Sequence, residues 1–132
     1  MIIGIGTDLC TISRIDAAYG RFGERFLDRI CTPDERQHIM RNSLKMIPRL
    51  AQHFAAKEAC AKALGTGFSQ GVYWSGLEVS HLPSGQPTFI LHGGAHARAL
   101  ALIPRGYRPQ VHISLSDEAD LAHAMVIISA IR

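Results

Sequence analysis

The chain has 132 residues, of which 47% are hydrophobic and 19% are charged, and this composition is typical of one globular domain rather than a disordered chain. Its net charge of +3 favours an acidic or phosphorylated partner, but so small a charge does not indicate a nucleic-acid-binding protein. Residues 1–132 are therefore expected to form a single domain.

The cysteines and the apolar segments indicate in which compartment of the cell the protein is expected. Cys10, Cys31 and Cys60 are odd in number and widely spaced, and no CxxC motif is present. This pattern predicts reduced thiols in a cytoplasmic protein, without disulfides or a zinc site. No signal peptide or membrane span is expected, because Asp8 interrupts the apolar N-terminal run and the apolar C-terminal run is too short to cross a bilayer.

The N-terminal run IIGIG at residues 2–6 predicts a buried strand in which glycine permits close backbone approach. Asp8 follows as this strand ends. An acid at the end of a buried strand is well placed to bind a metal, because the backbone fixes its position. A turn-forming or helix-capping aspartate is at least as common, so Asp8 alone does not establish a site.

A helix is predicted over residues 13–22, where Ser13 and Asp16 resemble a capping signal. If the helix continued beyond Gly23, a basic ridge for an acidic partner would result, whereas an ordinary solvated face is the alternative. The ridge would consist of four arginines spaced by seven, four and four residues: Arg14, Arg21, Arg25 and Arg29.

A stronger helix signal follows at Thr32-Pro33-Asp34-Glu35. Thr32 suits the N-cap, Pro33 the first helical position and Glu35 the third position of a capping box. This pattern predicts a helix that reaches about residue 41.

The most informative stretch is RLAQHFAAKEACAKALGTG at residues 49–67. Helix-forming residues dominate it, Pro48 suits a first turn and Gly65 suits a left-handed C-terminal cap, so a helix is predicted. At about 100° per residue, Glu58 and Lys62 lie to one side of its apolar stripe. The other side carries Arg49, His53 and Lys57. A Glu–Lys pair four residues apart is most often a solvated ion pair, so spacing alone does not assign it a function.

Weaker signals follow this helix. The glycines between residues 65 and 71 either present backbone N–H groups to a phosphate or simply end the helix, and the second interpretation is the better default. Residues 77–80 and 88–91 flank a Pro/Gly-rich turn and predict a β-hairpin. Residues 95–103 predict a short helix.

The C-terminal part predicts two more strands. Residues 111–116 alternate strictly, which places His112 and two serines on one face of a strand. This polar row lines a ligand cleft or faces solvent, and both interpretations stay open. After a turn at residues 117–118, a long apolar strand is predicted over residues 122–130.

The predicted elements occur in the order strand, three helices, hairpin, helix, hairpin. Because strands and helices do not alternate regularly, the pattern indicates the α+β class, with a largely antiparallel sheet and helices packed on one face.

Two segments resemble a known family. GIGTDLCTISRI at residues 4–15 and FAAKEACAKALGTG at residues 54–67 resemble the holo-acyl-carrier-protein synthase family, the small group of 4′-phosphopantetheinyl transferases. Residues 77–93 look like that family's hairpin and residues 111–128 like its terminal strands, so the resemblance covers nearly the whole chain. A G-[IL]-G-x-D start followed about fifty residues later by an F-A-x-K-E-A helix is specific.

The resemblance implies transfer of 4′-phosphopantetheine from coenzyme A to a serine of an apo acyl carrier protein, with release of adenosine 3′,5′-bisphosphate. It also implies Mg²⁺ held by Asp8 and Glu58, and a homotrimer with sites at subunit interfaces. The implied partners are coenzyme A and an acidic, helical carrier protein, with no nucleic acid and no membrane. Elementary chemistry agrees, because alcohol attack on phosphorus mainly requires positioning and charge neutralisation, and Mg²⁺ uses one or two carboxylates.

The resemblance, together with the chemistry of phosphoryl transfer, leads to hypotheses about single residues. Asp8, Glu58 and Lys62 are expected to be the catalytic residues. Lys62 is expected to contact the pyrophosphate, and the base is expected to be Glu58 or a metal-bound water that it holds. Lys57 binds another phosphate or closes a structural ion pair. Gly65 and His112 are expected to contact coenzyme A, as is Lys62.

Two arginines are expected to dock the carrier protein. Arg14 matches an arginine in the family's first helix that faces the carrier, and Arg21 lies one ridge position further on. A basic helix suits an acidic partner, and salt should weaken the contact. Asp117 stands where many relatives have a second histidine, which puts the role of such a histidine in doubt in this chain.

Two other interpretations compete with an enzyme. A small basic module that binds RNA or an acidic protein without catalysis would use the first arginines, and for RNA it would need aromatic stacking residues on a sheet. A catalytically inactive structural subunit would lack Asp8 or Glu58, and both are present.

Overall fold

The computed structural model describes residues 1–132 and contains five strands and five helices. The strands are β1 (Ile2–Thr11), β2 (Leu77–His81), β3 (Pro87–Leu91), β4 (Arg108–Glu118) and β5 (Leu121–Ile131). The helices are α1 (Ile12–Phe22), α2 (Glu24–Ile30), α3 (Pro33–Met40), α4 (Met46–Leu64) and α5 (Gly93–Leu102). Short 3₁₀ turns lie at Ser43–Lys45 and Trp74–Gly76. None of the helices has both the length and the apolar character needed to cross a membrane.

Two antiparallel sheets confirm the predicted α+β class. One has three strands in the order β1, β5, β4, and the other is the β2–β3 hairpin. Helix α4 packs against β1 and β5, so the largest helix covers one face of the larger sheet. This inner face is lined by small and branched side chains that are fully buried: Ala122, Ala124, Val126 and Ile128.

Glycines in β1 permit the predicted close backbone approach, and the structure shows that the partner is α4. A Cβ atom at Gly4 would lie 2.0 Å from the carbonyl oxygen of Ala63, and one at Gly6 would lie 1.8 Å from that of Ala59. No other residue fits such a close approach between backbones. The first half of β1 is thereby held against the second half of α4.

Two helix ends lie where the local sequence predicts them. Gly65 ends α4 in the left-handed conformation, with φ 78°. Thr32 and Glu35 form the predicted capping box at the start of α3. Both confirm the predictions, because each cap needs only neighbouring residues. Helix α4 begins at Met46, three residues before the predicted start, and this places Pro48 in its first turn.

Other boundaries differ from the predictions because distant residues determine them. The Ser13–Asp16 capping signal is wrong: Ser13 donates from its N–H and its hydroxyl to the Asp120 carboxylate, at 2.9 and 2.6 Å. The turn between β4 and β5 lies at residues 119–120, where Ala119 has φ 52°, and not at residues 117–118.

The continuous basic ridge is also wrong. Gly23 has φ 59° and ψ −134°, which separates α1 from α2. Since the helical repeat stops there, the arginines before and after Gly23 do not share one helix face.

Candidate functional site

Asp8, Glu58 and Lys62 line one cavity of about 450 Å³ between β1, α1 and α4. Asp8 points to the inner face of β1, where the glycine contact brings the strand against α4. The Lys62 ammonium lies 3.0 Å from Asp8 Oδ1 and donates at 3.0 Å to the carbonyl oxygen of Thr7. The fold thus brings together the three residues to which catalysis was assigned.

Glu58 is half-buried and has no hydrogen-bond or ion-pair partner, since Lys62 pairs with Asp8 instead. The solvated Glu58–Lys62 ion pair is therefore not formed. Burial raises the pKa of Glu58, the negative charge of Asp8 raises it further, and Lys62 opposes the rise. Lys62 itself keeps 54% of its side chain exposed, so it is free to reach a ligand.

The two carboxylates fit a hard divalent cation. Both supply oxygen donors to one cavity, and the pKa of Glu58 is raised partly by repulsion from Asp8, which a cation between them would relieve. The structure contains no cluster of three or more histidine, cysteine or acidic side chains able to hold a metal. Two carboxylates are nevertheless the complement that Mg²⁺ uses in phosphate chemistry, with water and phosphate oxygens at its other positions.

The four arginines of the predicted ridge differ in their position relative to this cavity. Arg14, on α1, lines the same cavity as Asp8. Arg25 and Arg29, on α2, line a neighbouring aromatic cavity of about 520 Å³. The Arg21 guanidinium carbon lies 5.1 Å from the centroid of the adjacent Phe22 ring and remains exposed. Arg14 is thus the arginine that the fold places beside the predicted catalytic residues.

Lys57 has no contact with this cavity, although it precedes Glu58 in sequence. Its side chain is fully buried, and Nζ lies 2.6 Å from Glu35 Oε1. Nζ also donates to the carbonyl oxygens of Ile30 and of Trp74. Of its two expected roles the structural ion pair is present, and the phosphate-binding role is wrong because no atom of the side chain is accessible.

His112 lies on the opposite face of the three-stranded sheet from Asp8. Its ring is exposed, and Nε2 lies 3.1 Å from Ser129 Oγ. Within one chain the sheet separates His112 from the cavity of Asp8, Glu58 and Lys62, so the two do not form a single site there. Asp117 instead accepts a hydrogen bond of 2.7 Å from Gln52 and so links β4 to α4. Gly65 is exposed at the end of α4, where its visible role is the helix cap.

A second polar cavity, of about 760 Å³, lies against another part of α4. We call it the histidine cavity and define it by five residues: His38, Arg41, Arg49, His53 and His81. The sequence placed Arg49 and His53 on the side of the helix away from Glu58, which was the one available signal. His38 and His81 come from α3 and β2, so only the tertiary structure assembles the group.

Comparison with known proteins shows the family of this chain. Residues 4–120 match the model of the 4′-phosphopantetheinyl transferase superfamily. A holo-[acyl-carrier-protein] synthase from Methylobacterium sp. (strain 4-46) is 56% identical over 132 residues, which cover 100% of this chain and 97% of the relative. One from Xanthobacter autotrophicus (strain ATCC BAA-1158 / Py2) is 55% identical over 99% of this chain and 96% of the relative.

Solved structures agree with the sequence matches. The holo-[acyl-carrier-protein] synthase of Neisseria meningitidis has a TM-score of 0.84 at 37% identity, covering 98% of this chain and 99% of that one. That of Helicobacter pylori, in complex with coenzyme A, has a TM-score of 0.79 at 28% identity, covering 95% and 99%. With the paired motifs, the fold and the cavity in agreement, this chain belongs to the 4′-phosphopantetheinyl transferase superfamily.

Proposed function

We propose that this chain transfers the 4′-phosphopantetheine group from coenzyme A to a serine of an apo acyl carrier protein and releases adenosine 3′,5′-bisphosphate. The convergence of Asp8, Glu58 and Lys62 in one cavity of a superfamily member carries the proposal. The relatives are named for this activity, and one was crystallised with coenzyme A. The chain is a transferase with coenzyme A as donor, and its product serves fatty acid biosynthesis and lipid metabolism.

The residues of the cavity have different roles in the proposed reaction. The serine oxygen attacks the phosphorus next to pantetheine, and the bond from that phosphorus to the adenosine bisphosphate breaks. Glu58 is placed to accept the hydroxyl proton as the general base. Lys62 leaves Asp8 to contact the pyrophosphate and neutralise charge on the leaving group.

Mg²⁺ is the proposed cofactor, with Asp8 and Glu58 as its protein ligands. When bound, it supplies charge neutralisation at the pyrophosphate. A chelator should abolish transfer, and added Mg²⁺ should restore it. Transfer at the full rate with all divalent metal removed would exclude this part of the proposal.

We propose a homotrimer with sites between subunits. The reason is the apolar outer face of the larger sheet, which is the face turned away from α4. This face exposes four apolar side chains by 40 to 65%: Ile5, Leu9, Leu121 and Met125. Such a face favours a protein–protein interface. Because His112 and Asp8 lie on opposite faces, a coenzyme A contact by His112 requires that it serve the cavity of a neighbouring copy. Light scattering tests this: Met125→Glu should yield monomers with reduced activity, and a monomeric wild-type protein would refute it.

The carrier protein is proposed to dock at Arg14 and Arg21, both exposed on α1. Exposed arginines attract an acidic carrier protein, and this long-range attraction steers association.

We propose a cytoplasmic location, which suits the three buried cysteines, all of which are free. The RNA-binding alternative lacks support, since β1, β4 and β5 contain no Phe, Trp or Tyr, and Trp74 stacks on Phe68 at 3.9 Å.

The deciding experiment incubates the protein with coenzyme A, Mg²⁺ and an apo acyl carrier protein and follows the carrier by intact mass. We expect the carrier to gain the mass of phosphopantetheine, and Glu58→Gln to suppress the gain. If carriers from both fatty acid and polyketide synthesis remain unmodified, the proposed function is wrong.

A further inference from the structure

Lys62 forms the one ion pair in the cavity that it shares with Asp8 and Glu58. Its ammonium lies 3.0 Å from Asp8 Oδ1 and donates at 3.0 Å to the carbonyl oxygen of Thr7. Both acceptors belong to β1, so Lys62 is bound to the strand and not to Glu58, which precedes it by one turn on α4. Asp8 therefore already has a counter-charge, whereas Glu58 has none.

The two partners of this pair are not held equally well. Asp8 keeps 16% of its side chain exposed and lies two residues after Gly6, where β1 contacts the backbone of α4. Lys62 keeps 54% of its side chain exposed, and its ammonium ends a flexible four-carbon stem. When the pair opens, Lys62 is consequently the partner that moves, and Asp8 stays in the cavity.

The charged side chains that line the cavity balance each other. Asp8 and Glu58 contribute two negative charges, and Arg14 and Lys62 contribute two positive charges. A divalent cation alone would leave the cavity positive, and the pyrophosphate of coenzyme A alone, with about two negative charges, would leave it negative. Both together restore the balance. The cavity thus favours joint binding of a dication and a pyrophosphate over binding of either one alone.

A dication and the Lys62 ammonium compete for the same carboxylate. Mg²⁺ binds carboxylate oxygens directly, and two cations at one carboxylate repel each other. Arg14 lines the cavity but pairs with neither acid. The pair of Lys62 and Asp8 is therefore the contact that a metal must break.

We propose that the Lys62–Asp8 ion pair is an autoinhibitory contact: Lys62 holds Asp8 until a metal displaces it, and the released ammonium then contacts the pyrophosphate. The inference rests on the proposed function and adds regulation to the same site. Lys62 weakens metal binding while the donor is absent, and it strengthens donor binding once the metal is present. Because coupling between two bound ligands is reciprocal, the donor should tighten metal binding by the same factor as the metal tightens donor binding.

Binding of Mn²⁺ in the absence of coenzyme A tests the displacement. Mn²⁺ prefers the same oxygen ligands as Mg²⁺, and electron paramagnetic resonance of the free ion measures its affinity for the full-length protein. Lys62→Met removes the competing ammonium and should tighten Mn²⁺ binding by about fivefold, the upper end of the range for a partly exposed ion pair. Arg14→Met removes the same charge from the same cavity without breaking an ion pair, so it should change the affinity by less than about twofold. Lys45→Met, at an exposed position outside the cavity, should not change it.

Two results of this titration would overturn the inference. One is Mn²⁺ binding that is unchanged or weaker in Lys62→Met. The other is equal tightening in Arg14→Met, because the net charge of the cavity alone would then explain the effect.

Calorimetry of coenzyme A binding in the presence of a chelator tests the released lysine. Asp8→Asn leaves Lys62 without its partner, so the ammonium should reach the pyrophosphate and tighten coenzyme A binding by about fivefold. In the Lys62→Met background the same Asp8→Asn change should have an effect of less than about twofold, and an equal gain in both backgrounds would overturn the inference. A protein that modifies its carrier, but whose Lys62→Met variant binds Mn²⁺ like the wild type, refutes this inference alone. Failure to bind coenzyme A under any condition refutes the proposed function as well.

Discussion

Replacing Gly6 by alanine tests the contact that brings Asp8 to α4. A Cβ atom there would lie 1.8 Å from the carbonyl oxygen of Ala59, whereas ordinary contact begins near 3.4 Å, so β1 must retreat by about 1.6 Å. The clash joins an atom fixed to the strand backbone with an atom of the helix backbone. Rotation of a side chain therefore cannot relieve it.

The retreat should affect both stability and catalysis. We expect the free energy of unfolding to fall by at least ~3 kcal/mol, the upper end of the usual overpacking range. Asp8 lies two residues further along the same strand, so its carboxylate moves away from Glu58. Since a displacement of about 1 Å can cost about 100-fold in rate, turnover should fall by at least that factor.

Urea unfolding followed by circular dichroism measures the stability of Gly6→Ala, and the intact-mass assay measures its turnover. Gly20→Ala is the matched control, because a Cβ atom at this exposed position in α1 meets nothing within 4 Å. The same chemical change there should stabilise the protein by ~0.5–1 kcal/mol. Wild-type stability and turnover in Gly6→Ala would refute the argument that glycine is required for the site.

Further predictions concern single side chains. Glu58→Gln and Lys62→Ala should each lower turnover by at least about 100-fold while the circular dichroism spectrum stays unchanged; near-normal turnover in either removes that residue from the mechanism. Lys57→Met leaves the Glu35 carboxylate buried without a counter-charge, so urea unfolding should show a loss of ~3–5 kcal/mol; a loss below ~1 kcal/mol would mean that the pair is not structural. Arg14→Glu should raise KM for the carrier far more than KM for coenzyme A, and the difference should shrink with added salt. Equal increases in both KM values would contradict a docking role.

Signals within a few residues predicted most of the helices and strands. The capping box at Thr32, the left-handed Gly65 and the alternation of β4 all appear where expected, because each depends on neighbouring backbone groups. Gly23 shows the limit of such signals. A glycine inside a helical pattern weakens the helix, but the arrangement of α1 and α2 around it decides whether the helix stops.

Distant contacts decided the features that sequence reasoning missed. The N-terminus of α1 is capped by Asp120, which is 107 residues from Ser13. Lys57 and Glu58 are adjacent, yet Lys57 is buried against Glu35 and Glu58 lines the cavity that it shares with Asp8 and Lys62. Helical spacing showed that they diverge, but it did not show which neighbours each side would meet.

The sequence by itself determined the fold class and the family, and it predicted that Asp8, Glu58 and Lys62 belong to one site. It could do so because strand glycines, helix caps and the paired motifs are local patterns. Tertiary structure alone decided that Lys62 pairs with Asp8 and that His112 faces away from the cavity. It alone also collected His38, His53 and His81 into one pocket. These outcomes depend on which surfaces of α4 and the sheet face each other, and packing of segments far apart in the chain sets that arrangement.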